Sequence, residues 1–218
     1  MAICGFFHWI GRASPIASDL PIFVATGMMP YLTFRAVITS MNRAIRAERH
    51  LLVFGPARSE DIFTATAFAE GLNTLLVVGS VGLLLALTSH VPLPQDTLAA
   101  LFGLFLAWAL GVSTGRLAAL LSLLSDSARR SIPMILRPFF WISGIFFVAH
   151  ELPAQAAEWL WWNPLLHITE ILRSGYFTNF DSTLADARVP LAAIAISYFA
   201  SRALELLPIT GDDGLARS

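Results

Sequence analysis

Five long apolar runs, separated by short polar segments, organise this chain. They lie near residues 20–38, 62–87, 97–124, 132–149 and 189–207. A helix needs about 20 apolar residues to cross a hydrocarbon layer of about 30 Å, so each run predicts a transmembrane helix. A shorter run, 3–10, reads as the end of a further span whose beginning is missing. The pattern predicts an all-α fold: one polytopic transmembrane bundle over 1–218, with about five full spans plus a partial first one.

One segment breaks the pattern. Residues 159–177 hold Trp159, Trp161 and Trp162, then Asn163-Pro164, then a helical stretch closing at Gly175. Asn suits a helix N-cap, Pro the first helical position and Gly a left-handed C-terminal cap. The helix between is too short to span a bilayer at about 1.5 Å per residue. His167, Glu170 and Arg173 share one arc with Ser174, and Leu165, Ile168, Ile171 and Leu172 take the other. Glu170 and Arg173, three residues apart, are placed to pair on one face. The tryptophans suit an interfacial belt, and their faces also offer a stacking surface for sugar rings.

Composition supports a membrane protein and narrows its chemistry. The chain is 56% hydrophobic and 13% charged, about half the charge density of a soluble domain. Its net charge of -1 gives no reason to expect nucleic acid as a partner. All fourteen basic residues are arginine, which excludes a P-loop lysine and Schiff-base chemistry within this chain. Cys4 is the only cysteine, and no His pair has the spacing of a zinc motif, so metal ligation is not expected.

Arginine placement orients the spans. Arg43, Arg46, Arg49 and Arg58 fall between the first and second spans; Arg129, Arg130 and Arg137 fall around the start of the fourth. The turn at 88–97 has none. By the positive-inside rule the arginine segments are cytoplasmic and residues 150–188 are external. Arg35 is read as near the end of the first span, snorkelling to the interface, and Arg116 within the third either faces the protein interior with a partner or, the favoured reading, snorkels. Glu70 inside the second span has two readings, facing the protein interior or pairing with the nearby arginines. The arginine segment also carries Ile45 and Leu51 to Phe54, an apolar surface for a docked partner.

GVSTG at 111–115 matches the pattern of a nucleophile elbow, with Ser113 as the imagined nucleophile of an intramembrane hydrolase. That motif needs a strand–turn–helix, whereas here it lies in an apolar run. Gly111 and Gly115 also form the spacing that lets helices pack closely, and the context favours packing.

Three stretches in order resemble the permeases of polysaccharide-export ABC systems, the type-2 exporters of capsule and O-antigen. They are PIFVATGMMPYLTFRAVITSMNRAIRAERHLLVFGPARSEDIFTATAFAE, PMILRPFFWISGIFF and NPLLHITEILRSGYF. The resemblance implies an inner-membrane homodimer of six-span subunits, bound to separate ATPase subunits that hold the ATP. It implies that Asn42, Arg43, Arg46 and Arg49 form the coupling contact with the ATPase. It also makes 159–177 an external re-entrant gate, with His167, Glu170 and Arg173 inside it and Trp159, Trp161 and Trp162 available to a glycan. Neither a catalytic residue nor a cofactor in this chain is implied. A type-2 exporter of drugs or lipids shares these features and stays open as an alternative.

Overall fold

The computed structural model describes residues 20–47, 58–88, 94–149, 152–177, 180, 182 and 184–206. Residues 3–10 and Arg49 lie outside these. Seven α-helices occupy the described residues: α1 Leu20–Ala47, α2 Ser59–Thr88, α3 Thr97–Leu124, α4 Asp126–Ile142, α5 Ala154–Leu160, α6 Pro164–Tyr176 and α7 Arg188–Glu205. Of these, α1, α2 and α3 are long and apolar enough to cross a membrane.

Helix α3 is the central post, with α1, α6 and α7 packed around it. Asp96 caps its start by accepting from the Ala99 amide at 3.0 Å. The core between α1, α3 and α6 is built from Tyr31, Phe34, Ile38, Leu106, Leu110, Leu165 and Ile168, with Ile145 from the segment after α4. Gly111 and Gly115 allow the closest approach. A Cβ at Gly111 would stand 3.0 Å from the Val37 Cβ, and one at Gly115 3.0 Å from the Ile38 Cα. The GVSTG stretch is therefore a helix-packing surface on α3, and the Ser113 hydroxyl donates to the Leu110 carbonyl one turn back.

Two boundaries differ from the sequence reading. Helix α1 runs on to Ala47, well past Ile38, and takes in the residues read as the start of a loop. The physical reason is amphipathicity: Met41 and Ile45 continue the buried stripe of Val37 and Ile38, while Arg35 and Arg43 point away from it. Arg35 is therefore not near a helix end. Helix α4 starts at Asp126, capped by Ser125, and stops at Ile142 instead of continuing to Ala149. Gly144 has φ +79, a left-handed conformation that ends the helix and that glycine adopts without a Cβ penalty. Arg137, counted with a cytoplasmic loop, consequently lies deep within α4.

Helix α2 stands apart. Its apolar length is almost wholly exposed, and Leu75, Leu76, Leu83 and Leu84 face outward. Its attachment is at the arginine-rich end, where Ile62, Phe63 and Ala67 pack against Met41, Ile45 and Leu120.

Candidate functional site

The segment 143–149 leaves α4 without helical hydrogen bonds, yet Ser143, Ile145 and Val148 are fully buried. In a membrane each unsatisfied backbone group there would cost several kcal/mol. Helix α6 supplies the partners. Arg173 donates to the carbonyls of Phe147 at 2.9 Å, Ile145 at 3.2 Å and Phe23 at 3.4 Å. Glu170 accepts from the Ala149 amide at 3.3 Å. Asn163 caps α6 at the Leu165 amide and donates from its other end to the Ile142 carbonyl at 2.7 Å.

Glu170 and Arg173 themselves lie 3.8 Å apart and are fully buried, and the Arg173 guanidinium sits 3.9 Å over the Phe23 ring. The polar arc of α6 therefore faces the irregular segment, while its apolar arc enters the core. Gly27 on α1 makes room for this: a Cβ there would be 2.7 Å from Arg173 Nη2 and 2.9 Å from the Ile145 Cα. Gly175, expected as a left-handed cap, is instead inside α6, which ends at Tyr176. Its carbonyl accepts from the Asp96 amide at 2.8 Å, and a Cβ would come within 2.6 Å of the Ala100 nitrogen. Smallness, not a turn, is what that position needs.

His167 is also fully buried, and its Nε2 donates to the Trp161 carbonyl at 2.7 Å. The Trp161 ring packs edge-on against His167 and Trp162, at 5.9 and 4.9 Å between centroids. Trp159 and Trp162 project outward, 84% and 76% exposed. The buried α6 is thus preceded by two open indoles, Trp159 on α5 and Trp162 on the turn between.

At the opposite, arginine-rich end, Arg116 is buried rather than snorkelling. It donates to Glu60 at 2.6 and 2.8 Å and to Glu205 at 2.6 and 2.7 Å. Its guanidinium also lies over the rings of Phe63 and Tyr198, at 5.4 and 5.8 Å. Arg202 pairs with Glu205 at 2.9 Å and contacts Glu60. Two arginines and two glutamates thus form a neutral quartet joining the start of α2, the middle of α3 and the end of α7. Sequence reading missed Glu60 and Glu205; the signal available was that an arginine in a span requires a buried acid.

Of the residues implied as a coupling contact, Asn42, Arg43 and Arg46 occupy the last turns of α1. Arg43 is exposed and reaches the Ser40 hydroxyl at 3.4 Å. Arg46 is turned inward, donating to the Ser122 carbonyl at the end of α3. Glu70 accepts from the same Ser40 hydroxyl at 2.5 Å, across the seam between α1 and α2. It joins a groove of about 650 Å³ lined by Arg43, Ala47, Asp61 and Thr66. Its bonds there are to the Ser40 hydroxyl and the Asn73 amide, and neither is a pairing with an arginine.

Long apolar helices tied by buried charge, with a short capped helix at one end, define a polytopic helical membrane protein. The profile of the ABC-2 type transporters matches residues 2–177. The chain belongs to that family. It is 26% identical over 186 residues to the polysialic acid transport protein KpsM of Escherichia coli, covering 84% of this chain and 70% of KpsM. It is 28% identical over 158 residues to the capsule polysaccharide export inner-membrane protein BexB of Haemophilus influenzae, covering 71% and 58%. With CtrC, the corresponding inner-membrane protein of Neisseria meningitidis, identity is 24% over 174 residues, covering 77% and 63%.

Proposed function

We propose that this chain is the permease subunit of an ATP-driven exporter, passing polysaccharide or lipid-linked glycan across the inner membrane. The observation that carries this reading is the family match together with capsule and polysialic acid exporters as relatives over most of the chain. The absence of lysine, and with it of a P-loop, supports an ATPase in a separate subunit. The chain would bind no cofactor of its own, with ATP acting through that partner.

In this reading the arginine-rich end of α1 meets the ATPase. Arg43 is available for that contact, while Arg46 fixes the end of α1 to α3. Movement of the ATPases would reach the bundle through α1 and the quartet at Arg116. Two copies would assemble as a homodimer, as the resemblance to polysaccharide-export permeases implies. At the external end, α6 would serve as the re-entrant gate, with Trp159 and Trp162 offered to the emerging glycan. A buried serine bonded to its own helix offers no support for the hydrolase alternative.

The test is co-expression with a P-loop ATPase from a capsule-export system, followed by reconstitution in lipid. Co-purification and ATP hydrolysis stimulated by a capsular polysaccharide are expected. A chain that recovers no ATPase subunit, or whose complex ignores glycan but responds to lipids or drugs, would remove the polysaccharide reading.

A further inference from the structure

Two exposed arginines stand side by side far from the helix ends, Arg35 at the middle of the membrane-length α1 and Arg137 on α4 beside it. Arg35 on α1 is followed by three more helical turns before Arg46, so it sits roughly 16 Å along the axis from that arginine. Arg137 on α4 lies the same distance, roughly 16 Å, beyond the helix start at Asp126. An arginine side chain bridges only part of such a depth. An arginine facing lipid at the middle of a span is strongly disfavoured.

The two belong to one seam. The Tyr31 hydroxyl, one turn before Arg35 on α1, donates to the Leu136 carbonyl at 2.9 Å. Arg137 is the next residue. Phe34 meets Phe139 and Tyr31 meets Phe140 along the same contact, so α1 and α4 run side by side there. Among the described residues the buried arginines Arg116 and Arg173 are tied to carboxylates, and Arg35 and Arg137 are not.

Helical spacing extends the pattern in both directions. On α1, exposed Arg35 is followed two turns on by exposed Arg43 towards the cytoplasmic end. On α4, Arg130 precedes Arg137 by two turns, and Trp141, 66% exposed, follows it by one. A row of cations thus runs from the arginine-rich end to the middle of α1 and ends on an open indole.

We propose that the α1–α4 seam is a binding track for an acidic polysaccharide, with Arg35 and Arg137 holding carboxylate or phosphate groups and Trp141 stacking on a sugar ring. This rests on the export reading above and narrows its cargo to anionic glycans. Guanidinium groups pair with carboxylate and phosphate in two-pronged geometry, and unpaired cations in a water-filled path would favour such a polymer over a neutral one.

The test uses the full chain with its partner ATPase in lipid nanodiscs, and fluorescent polysialic acid oligomers and neutral dextran as probes. Wild type is expected to bind polysialic acid well above dextran. The double variant Arg35→Gln, Arg137→Gln should lose about tenfold or more of that binding, with Arg35→Lys, Arg137→Lys retaining part. Unchanged melting temperature checks that the double variant is folded; if it melts early, the single variants are read instead. Equal binding of both probes, indifferent to the substitutions, would overturn the track and leave export standing. Failure of wild type to bind either polymer would remove the export reading with it.

An independent readout is thiol access. With Cys4→Ser as background, Arg35→Cys and Arg137→Cys should react with a membrane-impermeant cationic thiol reagent, and polysialic acid should slow the reaction. No reaction would place both positions against lipid. Complete disulfide formation between copies, excluding the reagent, would make the seam a contact between subunits; either result overturns the proposal.

Discussion

Arg173 and Glu170 face each other at 3.8 Å within α6, and both side chains are fully buried. Their geometry does more than pair two charges. Between them they bind the backbone of 145–149, which has no helix or sheet of its own. Replacing Arg173 by Ala would leave buried carbonyls and a buried carboxylate uncompensated. The expected cost is about 3–5 kcal/mol, read as a large fall in melting temperature in detergent. Glu170→Gln, which keeps a hydrogen-bonding oxygen for Ala149, should be milder. Equal effects would argue that the backbone bonds matter less than the charge pair.

Gly27 should prove as sensitive as the charges it accommodates. The nearest obstacles to a Cβ are the Arg173 guanidinium at 2.7 Å and the Ile145 backbone at 2.9 Å. Gly27→Val should cost about 1–3 kcal/mol through overpacking. A double-mutant cycle with Arg173→Ala checks the cause. The two penalties should add to clearly less than their sum, because one obstacle has gone.

The quartet around Arg116 predicts a distinct signature. Arg116→Gln leaves Glu60 and Glu205 sharing only Arg202, so α2 and α7 should loosen from α3. Hydrogen exchange at the start of α2 and the end of α7 should rise, while α6 keeps its protection. Arg116→Gln combined with Glu60→Gln should restore part of the loss, since fewer unpaired acids remain.

Arg43 and Arg46 should separate binding from stability. Arg43 is exposed, so Arg43→Glu should leave the melting temperature within about 0.5 kcal/mol of wild type in stability terms. It should reduce recovery of the ATPase subunit. Arg46→Glu removes the donor to the Ser122 carbonyl and should lower stability first. A pull-down scored beside a melt distinguishes the two.

The GVSTG stretch gives a contrast between neighbours. Ser113→Ala removes one hydroxyl bonded within its own helix and should change neither export nor stability appreciably. Gly111→Leu would drive a side chain into Val37 and the Phe34 backbone and should block folding, seen as loss of monodisperse protein on size exclusion.

What the sequence determined by itself was the class of fold and the local chemistry of its ends. Apolar run length is a one-dimensional property fixed by bilayer thickness, so the three membrane-length helices and the short capped helix at Asn163-Pro164 were legible, whereas the runs at 132–149 and 189–207 fold into helices of 17 and 18 residues. The spacing of Glu170 and Arg173 was legible too, since three residues always bring side chains together on a helix. The tertiary structure decided what those groups hold. Arg116 reaches Glu60 and Glu205 across the bundle, and no pattern local to residue 116 carries positions 60 or 205. Helix α1 outlasts its apolar run because Met41 and Ile45 find partners on α2 and α3. Helix α4 stops at Ile142 because Arg173, Glu170 and Asn163 can satisfy the backbone that follows, an exchange available only after α6 has packed beside it. Buried polar groups must be paired, but which group pairs with which is a property of the packed bundle, not of the chain.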